Sequence, residues 1–574
     1  MPFKFPPLAA LVLLAASAFA QTRIFPLSEV RAGQRGFGQT VFSGGRVERF
    51  DVEILGVLYN AGPRQNVILA RLSGGPLEKT GVMQGMSGSP VYIDGRLAGA
   101  VALAFPFSKD PIAGIRPAEE MFRVGSAAPA QKLARALTPP ANSADPKLID
   151  IATPVSFRGF SSSALDYFSP RLHALGMDPR QGVSSGGAIP LKLGDPSKLH
   201  PGDMISVELL SGDMSVGADG TVTAIEGKRV FAFGHQFLGA GTTDLPFARS
   251  SVVALLPSVN ASFKISSPEE WMGTITQDRS AAIAGELGKR AATVPFTIRI
   301  HGPGGAAVYR MEMVSDRVLS PLLAQMAVYS AIAATERTIG AGAYEFHGQA
   351  QFGPGIPPLR FDNAYAGDVA LPPIAALGVS APLSYALASD FDALRLSRID
   401  LDIRASEEHR LLDIAQVSAS RLEADPGDSL DLYVTFTGRN GDEVRKTIHY
   451  AVPVGTPPGP LQFSVTDAAG ANLEAYQRLL VSTPRSPRQV VEFLNALRDN
   501  RKAYLRVLRS AASFTVRGSE LPDPPPSLAL ILSRMQQPSA APAVLAGSKI
   551  DEFPIDMGGD VVGGSQSVTV QVKQ

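Results

Sequence analysis

The sequence predicts a mainly β, multidomain protein, and three observations carry that expectation. The chain has 574 residues, more than one hydrophobic core usually serves. It holds 55 Gly and 46 Pro, the residues that punctuate turns. Its apolar residues tend to alternate with polar ones, the period of a half-buried strand, and few stretches keep a helical period.

The chain opens with Lys4, an apolar run from Leu8 to Ala16, and Ala18-Phe19-Ala20. This is the layout of a secretory signal with a small-x-small cleavage pattern. Residues 1–20 are therefore expected to be removed and the mature chain to be exported, periplasmic or secreted. The run falls short of the roughly 20 residues that cross a bilayer, and no membrane span is expected after cleavage. The absence of Cys excludes a lipoprotein anchor and structural disulfides. Lys plus Arg and Asp plus Glu balance at 53 each, without a basic stripe, which argues against a nucleic-acid partner.

Residues 22–138 read as a first unit, with strand-like runs at Phe50–Leu58 and Asn66–Leu72 and a hairpin turning at Asp94-Gly95. A short helix around Pro117–Val124 closes it, and Thr138 to Ser143 reads as a linker. Residues 150–312 read as a second β-rich unit, with strands at Asp203–Leu210, Thr221–Ile225 and Arg229–Phe233. Residues 313–398 are a mixed helix/strand connector. Its helix, Ser320 to Thr335, shows a broad apolar face and a polar side marked by Gln325. Residues 399–483 alternate like sandwich strands, with turns at Asp425 to Asp428 and Asn440 to Asp442, and read as an immunoglobulin-like β module. Residues 484–574 form a C-terminal helix/strand segment, in which Ser567–Val572 adds an edge strand.

The sharpest chemical feature is Gly85-Met86-Ser87-Gly88-Ser89-Pro90, a serine between glycines just before a strand and hairpin. Glycine permits φ > 0 and lets a substrate carbonyl approach the backbone. In such a turn the N–H groups of Gly85 and Ser87 can converge on one spot and form an oxyanion hole. Hydrolysis of an amide needs that site together with an activated hydroxyl.

Glu48 to Leu55, Leu77-Glu78-Lys79-Thr80-Gly81, Gln84 to Pro90 and Asp94 to Val101 follow one another in the order of the nucleophile half of the SpoIVB (stage IV sporulation) serine peptidases, which this region resembles. The resemblance covers about residues 34–125. It implies peptidase units of the trypsin-like β-barrel type, with Ser87 as nucleophile and Ser89 as a turn residue bonded to backbone. His235, in Phe233-Gly234-His235-Gln236, is similar to the Gly-His turn that carries the family's general base. Ser258-Val259-Asn260 and Gly273-Thr274-Ile275 resemble the region downstream of it. In the family the histidine half comes first, whereas here Ser87 precedes His235. Triads are defined by geometry and tolerate any chain order.

The resemblance would put an Asp where this chain has Leu72-Ser73-Gly74-Gly75. Three arrangements are compatible with that departure. Another acid substitutes, Asp244 being nearest His235 in sequence and Asp278 next; a backbone carbonyl orients the imidazole in a dyad; or the site is inactive. No His-Glu-x-x-His, Cys cluster or phosphate loop is present, so no metal or cofactor is expected. The sequence thus reads as an exported serine endopeptidase acting on a protein or peptide substrate, with Ser87, His235 and Asp244 as catalytic residues. Its C-terminal β modules would engage an envelope protein partner. The alternative is an inactive peptidase-fold protein serving as an envelope binding or scaffold module.

Overall fold

A computed structural model describes residues 22–573 except 106–107, 109, 127–148, 152–153, 183–191, 259–260, 336–339, 440, 482–483, 511–512, 517–518, 522–523, 535–542 and 546–547. The leader expected at 1–20, the linker at 138–143 and two residues of the Ser258 to Asn260 box lie outside the described residues. The described chain is mainly β. It divides into two compact units, Met1–Ser156 with Arg171–Glu208 and Gly217–Ala291, and Phe157–Pro170 with Leu209–Val216 and Ala292–Gln574.

In the first unit, β1 (Arg35–Ser43), β2 (Arg46–Gly62), β3 (Gln65–Ser73), β4 (Pro90–Ile93), β5 (Arg96–Ala104) and β6 (Ile112–Pro117) pair in the order β4-β1-β2-β3-β6-β5. The β4–β5 hairpin closes the circuit into a six-stranded barrel, which leaves no open edge. Alternation sends Phe50, Val52 and Ile54 of β2 into its core beside Ile68, Val91, Val101 and Ile115. Asp94 and Gly95 both take left-handed conformations at the β4–β5 turn, as a two-residue hairpin with right-twisted strands requires.

The second circuit comprises β7 (Met204–Gly212), β8 (Ser215–Glu226), β9 (Arg229–Ala232), β10 (Gly241–Leu256), β11 (Phe263–Arg279) and β12 (Ala282–Leu287). These pair in the order β7-β10-β11-β12-β9-β8, and β7 pairs back with β8. Thus both boxes singled out in the sequence sit at the ends of short strands belonging to closed six-strand circuits.

In the second unit, Thr293–Gly302 and Gly305–Val314 form a hairpin, and Thr293–Gly302 also runs parallel to Arg398–Ser406. The helix Leu319–Thr335 is buried from Leu319 through Ile332. Gln325, expected on a polar side, is buried with the rest. A second helix, Leu371–Ala388, lies within residues 369–389, a run with no Asp, Glu, Lys or Arg. By length and composition it could cross a membrane, and 56% of it is buried in the fold, as a core helix would be.

A β-sandwich completes the second unit. One sheet holds Leu411–Ala419, Ser429–Thr437, Glu443–Ala451 and Val561–Gly563; the other holds Glu423–Ala424, Gly459–Thr466, Lys502–Arg509, Ser548–Asp556 and Ser565–Val572. Leu432, Phe436, Phe463, Leu505 and Val570 share its core. Four of these nine strands come from beyond residue 483, and Arg398–Ser406 joins a different sheet. Ser565–Val572, expected at an edge, pairs on both sides, with Gly459–Thr466 and with Glu423–Ala424. Alternation marks a strand without naming its neighbours.

Candidate active site

Ser87 sits on the turn that follows the short helix Leu77–Thr80 and leads into β4. Gly85 and Gly88 flank it at φ +90° and +93°, conformations that a side chain would strain. The turn docks on the second circuit mostly through main chain. Gln84 N–H donates to Ser262 O at 2.9 Å, Lys264 N–H to Gln84 O at 3.2 Å, and Thr221 N–H to Ser87 O at 2.8 Å. Two hydroxyls of β8 add to this, Thr221 Oγ1 donating to Gly85 O at 2.9 Å and Thr223 Oγ1 to Gly88 O at 2.7 Å. Gly88 passes so close that a Cβ there would lie 2.0 Å from Thr221 O and 2.5 Å from Phe233 N.

Along the turn, the N–H groups of Gln84, Met86, Gly88 and Ser89 all donate to backbone carbonyls. Those of Gly85 and Ser87 have no acceptor among the described residues. Ser87 itself is fully buried, and its Oγ makes no hydrogen bond. Ser89 is bonded to backbone, its N–H donating to Met86 O and its carbonyl accepting from Val101 N–H, both at 2.9 Å, while its hydroxyl faces Thr221 Oγ1 at 3.5 Å.

His235 follows β9 at the end of a turn in which Phe233 and Gly234 both have positive φ, 69° and 70°. A buried phenylalanine in that region is strained, and the fold holds it by seating its ring over Gly220 and bonding its N–H to Thr221 O at 3.3 Å. Thr221 therefore bonds both to the serine turn and to the turn that leads into His235. On the other side of the turn, the buried guanidinium of Arg116 donates from Nε to Gly234 O at 3.3 Å and lies 3.9 Å from the Glu120 carboxylate.

The imidazole is 2% exposed, and its Nδ1 lies 2.7 Å from Gln236 O. A carbonyl can only accept, so Nδ1 carries a proton, and in the neutral imidazole the lone pair is on Nε2, as a general base needs. No hydrogen bond joins Ser87 Oγ to that imidazole. The Gln236 carbonyl occupies the Nδ1 position an orienting carboxylate would use. Asp244 lies exposed on β10 and accepts from Thr274 Oγ1 at 2.9 Å. Asp278 is 1% exposed and accepts the N–H groups of Phe237, Leu238 and Ala240 at 2.8, 2.7 and 3.2 Å. It anchors the loop immediately after His235. Burial pushes its carboxyl above the usual value, and those amides partly offset the rise.

Sequence reasoning missed two buried charges. Lys264 on β11 is 2% exposed, with Nζ donating to Thr40 Oγ1 at 2.7 Å. Asp219 on β8, also 2% exposed, acts on it electrostatically. Lys264 stands in a Phe-Lys-Ile alternation that reads as a half-solvated strand. What buries it is the packing of one circuit on the other, for which a single strand carries no signal.

A turn with two N–H groups that have no acceptor among the described residues, beside a buried serine hydroxyl, is the kind of arrangement a serine peptidase uses. The family model of SpoIVB peptidase S55 matches residues 17–118. That region, which holds the first barrel and the serine turn, is similar to the SpoIVB peptidase family. No curated protein and no solved structure matches the chain.

Proposed function

We propose that the chain is an exported serine endopeptidase of protein substrates. Ser87 Oγ attacks the scissile carbonyl while His235 Nε2 takes its proton. The Gly85 and Ser87 N–H groups bind the oxyanion, and the imidazolium then protonates the leaving amine as the tetrahedral adduct collapses to an acyl-enzyme. Water deacylates it by the same route. The observation that carries this reading is the pair of unclaimed N–H groups beside a buried serine hydroxyl, in a turn that also contacts the histidine turn. The Gln236 carbonyl favours a Ser-His dyad over a triad through Asp244.

One observation favours a second reading, a peptidase fold kept as an inactive envelope binding or scaffold module. Ser87 is sealed from solvent and is not hydrogen-bonded to His235. Hydrolysis through Ser87 therefore needs an opening that admits the substrate carbonyl and closes the Oγ to Nε2 gap to about 2.6–3.2 Å. Labelling with a fluorophosphonate probe separates the readings. The peptidase reading expects wild type to label, Ser87→Ala not to label, and His235→Ala to label at least about a thousandfold more slowly. Folded wild type that fails to label, or a Ser87→Ala variant that labels equally, would overturn it.

A further inference from the structure

The serine turn rests on a charge that the hydrolytic scheme above does not use. The Lys264 stem packs against Gly85, where an added Cβ would meet its Cδ at 3.2 Å and its own Cβ at 3.3 Å. Its backbone N–H bonds Gln84 O, and its ammonium reaches past the turn to Thr40 of β1. Thr40 and Phe42 on β1, Gly85 on the turn and Met204 on β7 bring no charge to it. The carboxylate acting on it is Asp219, which shares its face of β8 with Thr221 and Thr223, the residues bonded to the serine turn. Burying an ammonium and a carboxylate is costly where a Met or Leu and a Val would fill the same space. Such costs concentrate where charge is used.

We infer that Lys264 is a positioning residue for hydrolysis at Ser87, its stem and backbone holding the Gly85 to Ser87 turn in register and its ammonium backing the oxyanion site, with the Asp219 carboxylate acting on that ammonium through space. Negative charge develops on the substrate oxygen as Ser87 attacks, and a fixed cation behind the amides that receive it stabilises the transition state more than the ground state. Asp219 keeps the amine protonated in a site that would otherwise neutralise it. This inference rests on the reading of Ser87 as the nucleophile.

The test is the fluorophosphonate labelling rate of the full chain from pH 5 to 9 in wild type, Ser87→Ala, Lys264→Met, Lys264→Arg and Asp219→Asn, with thermal unfolding as the check on folding. Wild type should fall above about pH 7, where burial has brought the Lys264 amine. Lys264→Met should label roughly tenfold to a hundredfold more slowly, with the descending limb gone. Lys264→Arg should recover rate and stay flat to pH 9, since a guanidinium keeps its proton. Asp219→Asn, nearly isosteric, should move the descending limb to lower pH. Labelling of Lys264→Met equal to wild type at every pH, or an unmoved limb in Asp219→Asn, overturns the inference while Ser87→Ala remains unlabelled. Equal labelling of Ser87→Ala and wild type instead removes the nucleophile, and the inference with it.

Discussion

Replacing Lys264 by Met should change how stability depends on pH, and the sign follows from its burial. Desolvation lowers the amine from its ordinary value of 10.5 to about 7, the Asp219 charge offsetting part of the fall. At about 1.36 kcal/mol per pH unit, holding the ammonium in the fold costs roughly 5 kcal/mol relative to the unfolded chain. Below about pH 7 both states are protonated and that cost is fully present. Between about pH 7 and 10.5 the unfolded chain keeps a proton that the folded chain has released, so stability rises with pH. Lys264→Met lacks this term. Calorimetric unfolding of both proteins at matched pH should therefore show wild type gaining on the variant by about 1.4 kcal/mol per pH unit above pH 7. The relevant transition is the one whose midpoint the substitution moves, since a two-unit chain need not unfold in one step. A wild-type to variant difference that stays constant from pH 7 to 10 would mean that Lys264 keeps its proton when buried, and would refute the desolvation argument.

Two further outcomes are expected from the seam around Ser87. Gly88→Ala adds a Cβ 2.0 Å from Thr221 O at φ +93° and should cost more than about 4 kcal/mol, whereas Gly95→Ala, at φ +72° with open space around it, should cost only about 1–2 kcal/mol; thermal unfolding of the pair measures the contrast. Asp278→Asn should lose about 1.5–3 kcal/mol, because an amide replaces a carboxylate that receives three N–H groups, and should slow fluorophosphonate labelling by loosening the loop after His235. Its pH signature is opposite to that of Lys264. With the folded carboxyl raised above 3.8, wild type binds more protons folded than unfolded and loses stability as pH rises through that window, a slope the Asn variant should lack in acid titration.

Much of the first unit was legible. The Asp94-Gly95 turn, the strand alternation of β2 and the glycines around Ser87 are local signals, and the structure builds a barrel and a serine turn from them. The features that escaped reading depend on which surfaces meet. Lys264 has the pattern of an exposed strand residue and is buried because Thr40 arrives from 224 positions away. Asp244 was the nearest acid along the chain, yet distance along a strand says little about which atom faces Nδ1, and there the chain uses its own Gln236 carbonyl. The sandwich strands were recognisable one by one, but some of their sheet partners lie across more than 100 residues, as with Gln462 and Thr569.

The seam that holds the serine turn is stitched largely by main-chain groups, through Gln84, Ser87, Gly88, Thr221, Ser262 and Lys264. A backbone N–H or C=O is present whatever side chain a residue carries. Mutational tolerance in this region should therefore be uneven: Met86 and Gln84 can drift among side chains of similar size without uncoupling the turn, whereas the glycines, which create the room for the backbone to approach, cannot. A lineage could then diverge widely in sequence around the nucleophile and still retain its placement, so that shared ancestry would persist longer in spacing and glycine positions than in the identities of the residues between them.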